Sequence, residues 1–382
     1  MKKDLHIAFI HQEFPYGGAE KITLLTANYL CTHGYKVTIL TARHNEHLYP
    51  QGSVRQFCVE LLPSRHIKSS KAVAQAIRSY ACERDIHILV TSRELLYAKW
   101  LKAKTGIKLV FQLHSSPYYE FRDIAEKKAN SPVLQLLYGC GVERLLTQFY
   151  RNKYRRVYGW ADAYGVLCNA YKQVVVDELR LSSTSKLWVL PNAIEPVGSV
   201  VYDKQKTILF VGRLSHRDKR VDRLLRIWQL AQPQMPGWKL KIVGDGRERK
   251  KLQVLASRLQ LQQLSFEGHT NNVKNYYDEA SLLCLTSSFE GWPLSVAEAQ
   301  AYGVVPIMFD SFLGAHELIQ TTDDGILVAP FDEMAYAKAL VELSTDLPRL
   351  TKMRHRVIEK AKEYTIQKMG EEWQHMLNHI VE

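Results

Sequence analysis

No stretch of this chain approaches the about 18 consecutive apolar residues that a membrane-spanning helix needs, so no such span is expected. A secretory leader is not expected either. The basic start Met1-Lys2-Lys3-Asp4 is followed only by the short run Leu5–Ile10, which leads into a turn with Pro15 and Gly17-Gly18 and reads as a first strand. Cysteine is sparse and scattered, at positions 31, 58, 82, 140, 168 and 284, with no Cys-x-x-Cys pair. That argues against a zinc site or a disulfide framework and suits a reducing cytoplasm. Acidic residues are scarce in one half only. Residues 1–195 hold 16 acidic against 27 basic side chains, which is +11 of the chain's net +12. Such a field attracts nucleic acid, anionic lipid or a phosphate-bearing substrate. A solubilising surface explains a modest excess but not its confinement to one half.

What is present is a regular alternation. The 382 residues and 46% hydrophobic content suffice for two domains with separate cores. Short apolar runs at Leu5–Ile10, Val37–Thr41, Ile86–Thr91, Lys108–Leu113, Ala163–Leu167 and Leu187–Leu190 read as strands. Helix-like stretches such as Ala19–His33 and Ala72–Arg84 lie between them. The segment from Pro191 to Gly198 has two prolines and no periodicity, and reads as a linker. The alternation then resumes with strands at Thr207–Val211, Lys239–Val243, Leu264–Phe266, Leu282–Leu285, Val304–Met308 and Ile326–Val328, and a helix at Val221–Ala231. The expected architecture is α/β, with two doubly wound units of mostly parallel sheet in series. The expected domains are 1–195, completed by a C-terminal helix at 366–382, and 196–365. Ligands of such sheets bind outside the carboxyl ends of the strands, and two sheets facing each other would make an inter-domain cleft.

Glu290 and Glu298 stand eight positions apart around Gly291-Trp292-Pro293. The first should lie in a strand-to-helix loop. The second should lie on the helix that Leu294 opens, with Pro293 near its start. A helix start favours a phosphate through its free N–H groups. Eight helical residues span about 12 Å, too far for the roughly 5–5.5 Å of a retaining hydrolase pair. Two carboxylates gripping different ends of an extended ligand fit better, whereas an exposed helix residue with no role is the plain alternative for Glu298. Other candidates are the cationic run Arg213 to Arg220, the loop Gly17-Gly18-Ala19-Glu20 after the first strand, and His114 at the carboxyl end of Lys108–Leu113. A basic loop, an ordinary turn and a polar turn residue are their respective plain readings.

The Glu-x7-Glu segment resembles that of the retaining glycosyltransferases of family 4, which have the GT-B fold of two Rossmann-like domains with parallel sheets facing a cleft. The resemblance runs through nearly the whole chain. It implies that Glu290 contacts the donor sugar and Glu298 the ribose, and that the backbone of Gly291, Trp292 and Leu294 approaches the sugar and diphosphate. Pro293 stands where many relatives have glycine, so one N–H is missing. Gly212-Arg213-Leu214 with Lys219-Arg220 resembles the segment whose Arg and Lys bind the diphosphate. Its spacer is one residue longer, and Arg220 replaces a glycine. Gly17 and Gly18 resemble the glycine loop near the donor phosphates, and His114 the histidine at the donor sugar. Gly244 falls in the turn beside the nucleotide, and Asn192 in the hinge Pro191-Asn192-Ala193-Ile194-Glu195.

By this resemblance a hexosyl unit passes from a nucleoside diphosphate sugar, UDP ahead of GDP, to an acceptor hydroxyl with retention. Glu290, His114, Arg213 and Lys219 would be the catalytic groups, and no metal or other cofactor is expected. The run Gln148–Trp160 mixes aromatic with basic side chains. With the basic half-chain it suggests an anionic inner-leaflet surface and a lipid-linked or lipopolysaccharide-type acceptor, in lipopolysaccharide, capsule or other surface glycan assembly. An amphipathic core helix explains the run equally well. The expected location is cytoplasmic, peripheral at the inner membrane face. A nucleotide-sugar 2-epimerase and a nucleic-acid-binding protein are the alternatives, and the glutamate and diphosphate motifs disfavour both.

Overall fold

The computed structural model describes residues 5–49, 55–121, 124 and 142–382. The chain folds into two compact units, Met1–Ala193 with Ile366–Glu382, and Ile194–Thr365. The backbone therefore passes from one unit to the other after Ala193 and returns after Thr365.

The first unit is built on seven parallel strands: β1 (His6–His11), β2 (Lys36–Thr41), β3 (Cys58–Leu61), β4 (Ile88–Thr91), β5 (Lys108–Gln112), β6 (Ala163–Val166) and β7 (Leu187–Val189). Their order in the sheet is β3-β2-β1-β4-β5-β6-β7. The buried aliphatic runs of β1, β4 and β5 match the both-faces-covered pattern of parallel sheets. The C-terminal helix Ile366–Val381 packs on the helix Gly18–Thr32. Trp373 lies 5.6 Å from the Phe9 ring, and a Cβ on Gly370 would come within 2.1 Å of the Tyr29 ring. Glycine at position 370 is thus what lets these two helices approach.

The second unit carries six parallel strands: β8 (Thr207–Val211), β9 (Lys239–Val243), β10 (Leu264–Gly268), β11 (Leu282–Leu285), β12 (Val305–Phe309) and β13 (Ile326–Val328). Their order is β10-β9-β8-β11-β12-β13. The core includes Phe210, Trp228, Ile242, Val305 and Tyr336. Trp228 spends its indole N–H on the Gln262 carbonyl at 3.0 Å, which offsets the cost of burying it. Tyr336 is wholly buried. Its hydroxyl donates to the Ile307 carbonyl of β12 and accepts from the Leu285 amide at the end of β11.

In each sheet the chain first builds outward on one side, then crosses to build on the other. The crossing falls between β1 and β4 in the first unit, and between β8 and β11 in the second. The strand ends flanking such a reversal splay their following loops apart, which makes a crevice at the carboxyl edge. The loops that carry the candidate residues follow these central strands: Gly17-Gly18 follows β1, Arg213 to Arg220 follows β8, and Glu290 follows β11.

Candidate active site

In the second unit the loops after β8 and β11 are laced together. The Ser288 amide donates to the Asp218 carbonyl at 2.8 Å, and the Thr286 hydroxyl donates to the Arg220 carbonyl at 3.0 Å. Arg223 is buried beneath them. Its guanidinium donates to the Ser288 hydroxyl at 3.0 Å and lies over the Phe331 ring. Across this seam the Lys219 ammonium donates to Glu290 Oε1 at 2.6 Å, each side chain 13% exposed. Ser287 donates to the same oxygen at 2.7 Å. The carboxylate is therefore held from two sides. Lysine carries three N–H donors, so one bond to Glu290 leaves capacity for a second anionic partner.

Arg213 stands differently. It is 65% exposed and bonded to Asp218 at 3.0 Å, a contact of small energetic weight. Arg220 has φ +49°, the left-handed conformation that favours glycine. Its guanidinium makes two bonds to Asp222, at 3.0 and 3.1 Å. Arginine at this position thus bears the backbone strain and adds an ion pair at the start of the helix Val221–Ala231.

Gly291 and Trp292 are buried, and the Trp292 and Tyr364 rings lie nearly perpendicular with centroids 5.0 Å apart. Pro293 caps the helix Leu294–Ala301, whose first-turn N–H groups point from its N-terminus as in any helix. Glu298 lies on the second turn and accepts from the Tyr277 hydroxyl at 3.0 Å. The two glutamates have separate side-chain partners, Lys219 and Ser287 for one, Tyr277 for the other. Gly244 has φ +131°, and a Cβ there would come within 1.9 Å of the Gly212 carbonyl oxygen. Its amide is spent on the Gly268 carbonyl at 2.7 Å. What Gly244 contributes is close approach between the loops after β8 and β9.

In the first unit Gly17 is the N-cap of the helix Gly18–Thr32, and its amide donates to Glu20 Oε2 at 3.0 Å. The other carboxylate oxygen lies 3.4 Å from His11 Nδ1, and His11 Nε2 meets the Thr23 hydroxyl at 3.0 Å. Burial would raise the Glu20 carboxyl, but the hydrogen bond and charge of His11, joined by a backbone hydrogen bond and His114, together hold the carboxyl below its ordinary value. His11 ends β1 and belongs to this cluster, though no motif in the sequence marks it. His114 follows β5. Its Nδ1 is buried with no hydrogen-bond partner among the described residues. Desolvation, reinforced by His11 and opposed by Glu20, pushes its imidazole down to about 4. A small cavity at the β1/β4 reversal is lined by His11, Thr23, Thr91, Gln112 and His114 among others.

This histidine predicts a pH effect on stability. Its folded value is depressed below the ordinary 6.5, so the unfolded chain binds the proton first as pH falls. The contribution is present above pH 6.5 and is lost as pH falls toward 4. It amounts to roughly 3 kcal/mol at most for a shift of this size. Denaturant titrations between pH 4 and 7 should show a shallower pH slope for His114→Asn than for the unmodified protein.

Asn192 is buried, its Oδ1 unpartnered among the described residues, two positions before the second unit begins at Ile194. The basic–aromatic run lies on the helix Glu143–Trp160. Most of its members serve the first unit's own packing. Arg151 pairs with Glu178, Lys153 with Glu120 and Arg156 with Glu94, while Tyr154, Val157 and Trp160 are buried. The helix exposes Leu145 and Phe149, one turn apart, together with Arg144, Gln148, Asn152, Arg155, Arg156 and Gly159. Among the described residues no helix is long and apolar enough to cross a membrane.

Two family models divide the chain between them. The one described as Glycosyltransferase Family 4 matches residues 16–197, and the one described as Glycosyl transferases group 1 matches residues 189–364. An uncharacterized glycosyltransferase of Haemophilus influenzae is 27% identical over 365 residues, 94% of this chain and 96% of its own. A Campylobacter jejuni enzyme, GalNAc-alpha-(1->4)-GalNAc-alpha-(1->3)-diNAcBac-PP-undecaprenol alpha-1,4-N-acetyl-D-galactosaminyltransferase, is 27% identical over 379 residues, 97% of each chain. Among solved structures, Anabaena HepE in complex with UDP and glucose has a TM-score of 0.75 over 98% of this chain and 99% of its own, at 14% identity. The fold and these likenesses define a glycosyltransferase of the GT-B type. The chain belongs to glycosyltransferase family 4.

Proposed function

We propose that this protein transfers a hexosyl unit from a nucleoside diphosphate sugar, UDP ahead of GDP, to an acceptor hydroxyl with retention of anomeric configuration. The observation that carries the reading is the Lys219–Glu290 pair, held at the β8/β11 reversal by Ser287 and by the bonds that join the two loops. In this reading Glu290 meets the donor sugar, and Lys219 and Arg213 meet the diphosphate. Glu298 takes the ribose, the first turn at Leu294 faces the diphosphate, and His114 contacts the sugar. The bond from the anomeric carbon to the β-phosphate oxygen breaks as the acceptor oxygen attaches on the same face. The acceptor's proton goes to the leaving diphosphate. Positioned cations stabilise the charge that develops on that leaving group, so no metal is needed. His114, held neutral at assay pH, acts as a hydrogen-bonding and not a charged group.

The acceptor is lipid-linked or of lipopolysaccharide type, and the work lies in surface glycan assembly at the cytoplasmic face of the membrane. The undecaprenol-linked acceptor in the name of the Campylobacter relative supports this. The exposed Leu145 and Phe149, on a helix that also exposes Arg144, Arg155 and Arg156, support a peripheral contact with anionic lipid, since apolar and basic side chains together suit that interface.

A donor panel tests both parts. Release of nucleoside diphosphate is followed for UDP- and GDP-sugars with bacterial lipid extract as acceptor, with and without anionic vesicles. The expected outcome is acceptor-dependent release from one donor, with protein recruited by anionic but not neutral vesicles. Release of free altered sugar without acceptor would instead mark an epimerase. Vesicle binding indifferent to lipid charge would remove the membrane part.

A further inference from the structure

We propose that Tyr277 is a positioning residue for the nucleotide, its hydroxyl aiming the Glu298 carboxylate at the donor ribose. The inference rests on the reading of Glu298 as the ribose contact.

Tyr277 lies on the short helix Lys274–Glu279 and is 2% exposed. Its ring stacks on Tyr302 with centroids 5.4 Å apart. Its hydroxyl donates to Glu298 Oε2 at 3.0 Å and lies 3.3 Å from the Ser295 carbonyl. A phenylalanine would fill the same space without burying a hydroxyl, a group that costs free energy to bury unless bonded. The hydroxyl's addition is therefore a fixed direction for Glu298. Each bond to a glutamate narrows its rotamers, and a carboxylate ordered before the ligand arrives gives up less entropy on binding. A carboxylate accepts at about four lone-pair sites, so the phenol bond leaves room for vicinal ribose hydroxyls. Burial, with the Glu298 charge next, pushes the phenol well above its ordinary range, so it remains a donor.

The support behind Tyr277 is equally defined. The Lys204 ammonium donates to the carbonyls of Tyr277 and Asp278 at 2.7 and 3.1 Å. The Gln205 amide donates to the Glu279 carbonyl at 2.9 Å, and Lys241 pairs with the Glu279 carboxylate at 2.7 Å. The C-terminal end of this helix is thus tied to the entry of β8 and to β9. A site holds its geometry when the groups behind it are themselves fixed.

The test is calorimetric titration of the full-length protein with whichever of UDP and GDP it binds, and with the 2′-deoxy and 3′-deoxy forms of that nucleotide. Tyr277→Phe should weaken the ribonucleotide about three- to tenfold. It should weaken the deoxy form that lacks the hydroxyl taken by Glu298 by less than about twofold, because the coupled partner is gone. Glu298→Gln should show the same dependence on that hydroxyl with a larger effect. Unchanged thermal unfolding of Tyr277→Phe, and a raised donor KM at unchanged kcat, would accompany this pattern. If Glu298→Gln shows the ribose dependence but Tyr277→Phe weakens both nucleotides equally, or neither, the role of Tyr277 is overturned while that of Glu298 stands. If Glu298→Gln itself shows no ribose dependence, the underlying ribose assignment falls and this inference with it.

Discussion

Replacing Glu290 by alanine is expected to lower kcat about 10²- to 10³-fold, the size seen when a group acting on the transition state is removed. The effect should fall mainly on kcat if Glu290 acts on the reacting sugar, because the ribose contact and Arg213 are untouched. Stability should fall too. Lys219 and Glu290 are each 13% exposed, so the alanine leaves a largely buried ammonium without its carboxylate. A loss of about 1–3 kcal/mol is expected by denaturant titration. Glu290→Gln separates the two effects, since the amide oxygen still accepts from Ser287 while the charge is gone. A kcat within twofold of the unmodified enzyme in both variants would remove Glu290 from the chemistry.

Lys219→Ala is expected to have the other large effect, again about 10²- to 10³-fold in kcat/KM, because a cation near the leaving diphosphate works in a site with little water to screen it. Arg213→Ala should cost less, on the order of tenfold, since the side chain is 65% exposed and water screens it. Turnover should be indifferent to excess chelator in the unmodified enzyme. Activity lost in chelator and restored by one divalent ion would assign the charge stabilisation to a metal instead.

The fold was readable because parallel strands buried on both faces are continuous aliphatic runs. Thr207–Val211, Lys239–Val243, Leu282–Leu285 and Ile326–Val328 are observed with the bounds that pattern implies. The strand Cys58–Leu61 has no such signal. It is an edge strand, half exposed, with a glutamate in its four residues. Strand ends were less legible. The first unit's opening strand runs to His11, one residue beyond the apolar run Leu5–Ile10, and this extra residue belongs to the Glu20 cluster.

For the site, the loops after β8 and β11 could be picked out by residue type, but their pairing could not. Lys219 and Glu290 are 71 positions apart, and only the adjacency of β8 and β11 in the sheet brings them together. Tyr277 carried no sequence signal, because a buried tyrosine on a short helix looks like core until its hydroxyl is seen on Glu298. The basic–aromatic helix shows the converse. Its charges drew attention in sequence, and three of them are answered by Glu178, Glu120 and Glu94, which lie elsewhere in the chain. Arg220 departs from the family's glycine at a position that does need the left-handed conformation. Its bonds to Asp222 show how this chain accommodates the change.

The most direct measurement is calorimetric titration of UDP, and of GDP in parallel, into the unmodified protein and Lys219→Ala, in buffer containing excess chelator. One site per chain is expected, needing no divalent ion and weakened at least about tenfold by Lys219→Ala. Binding of neither nucleotide, or binding that Lys219→Ala leaves unchanged, would contradict it.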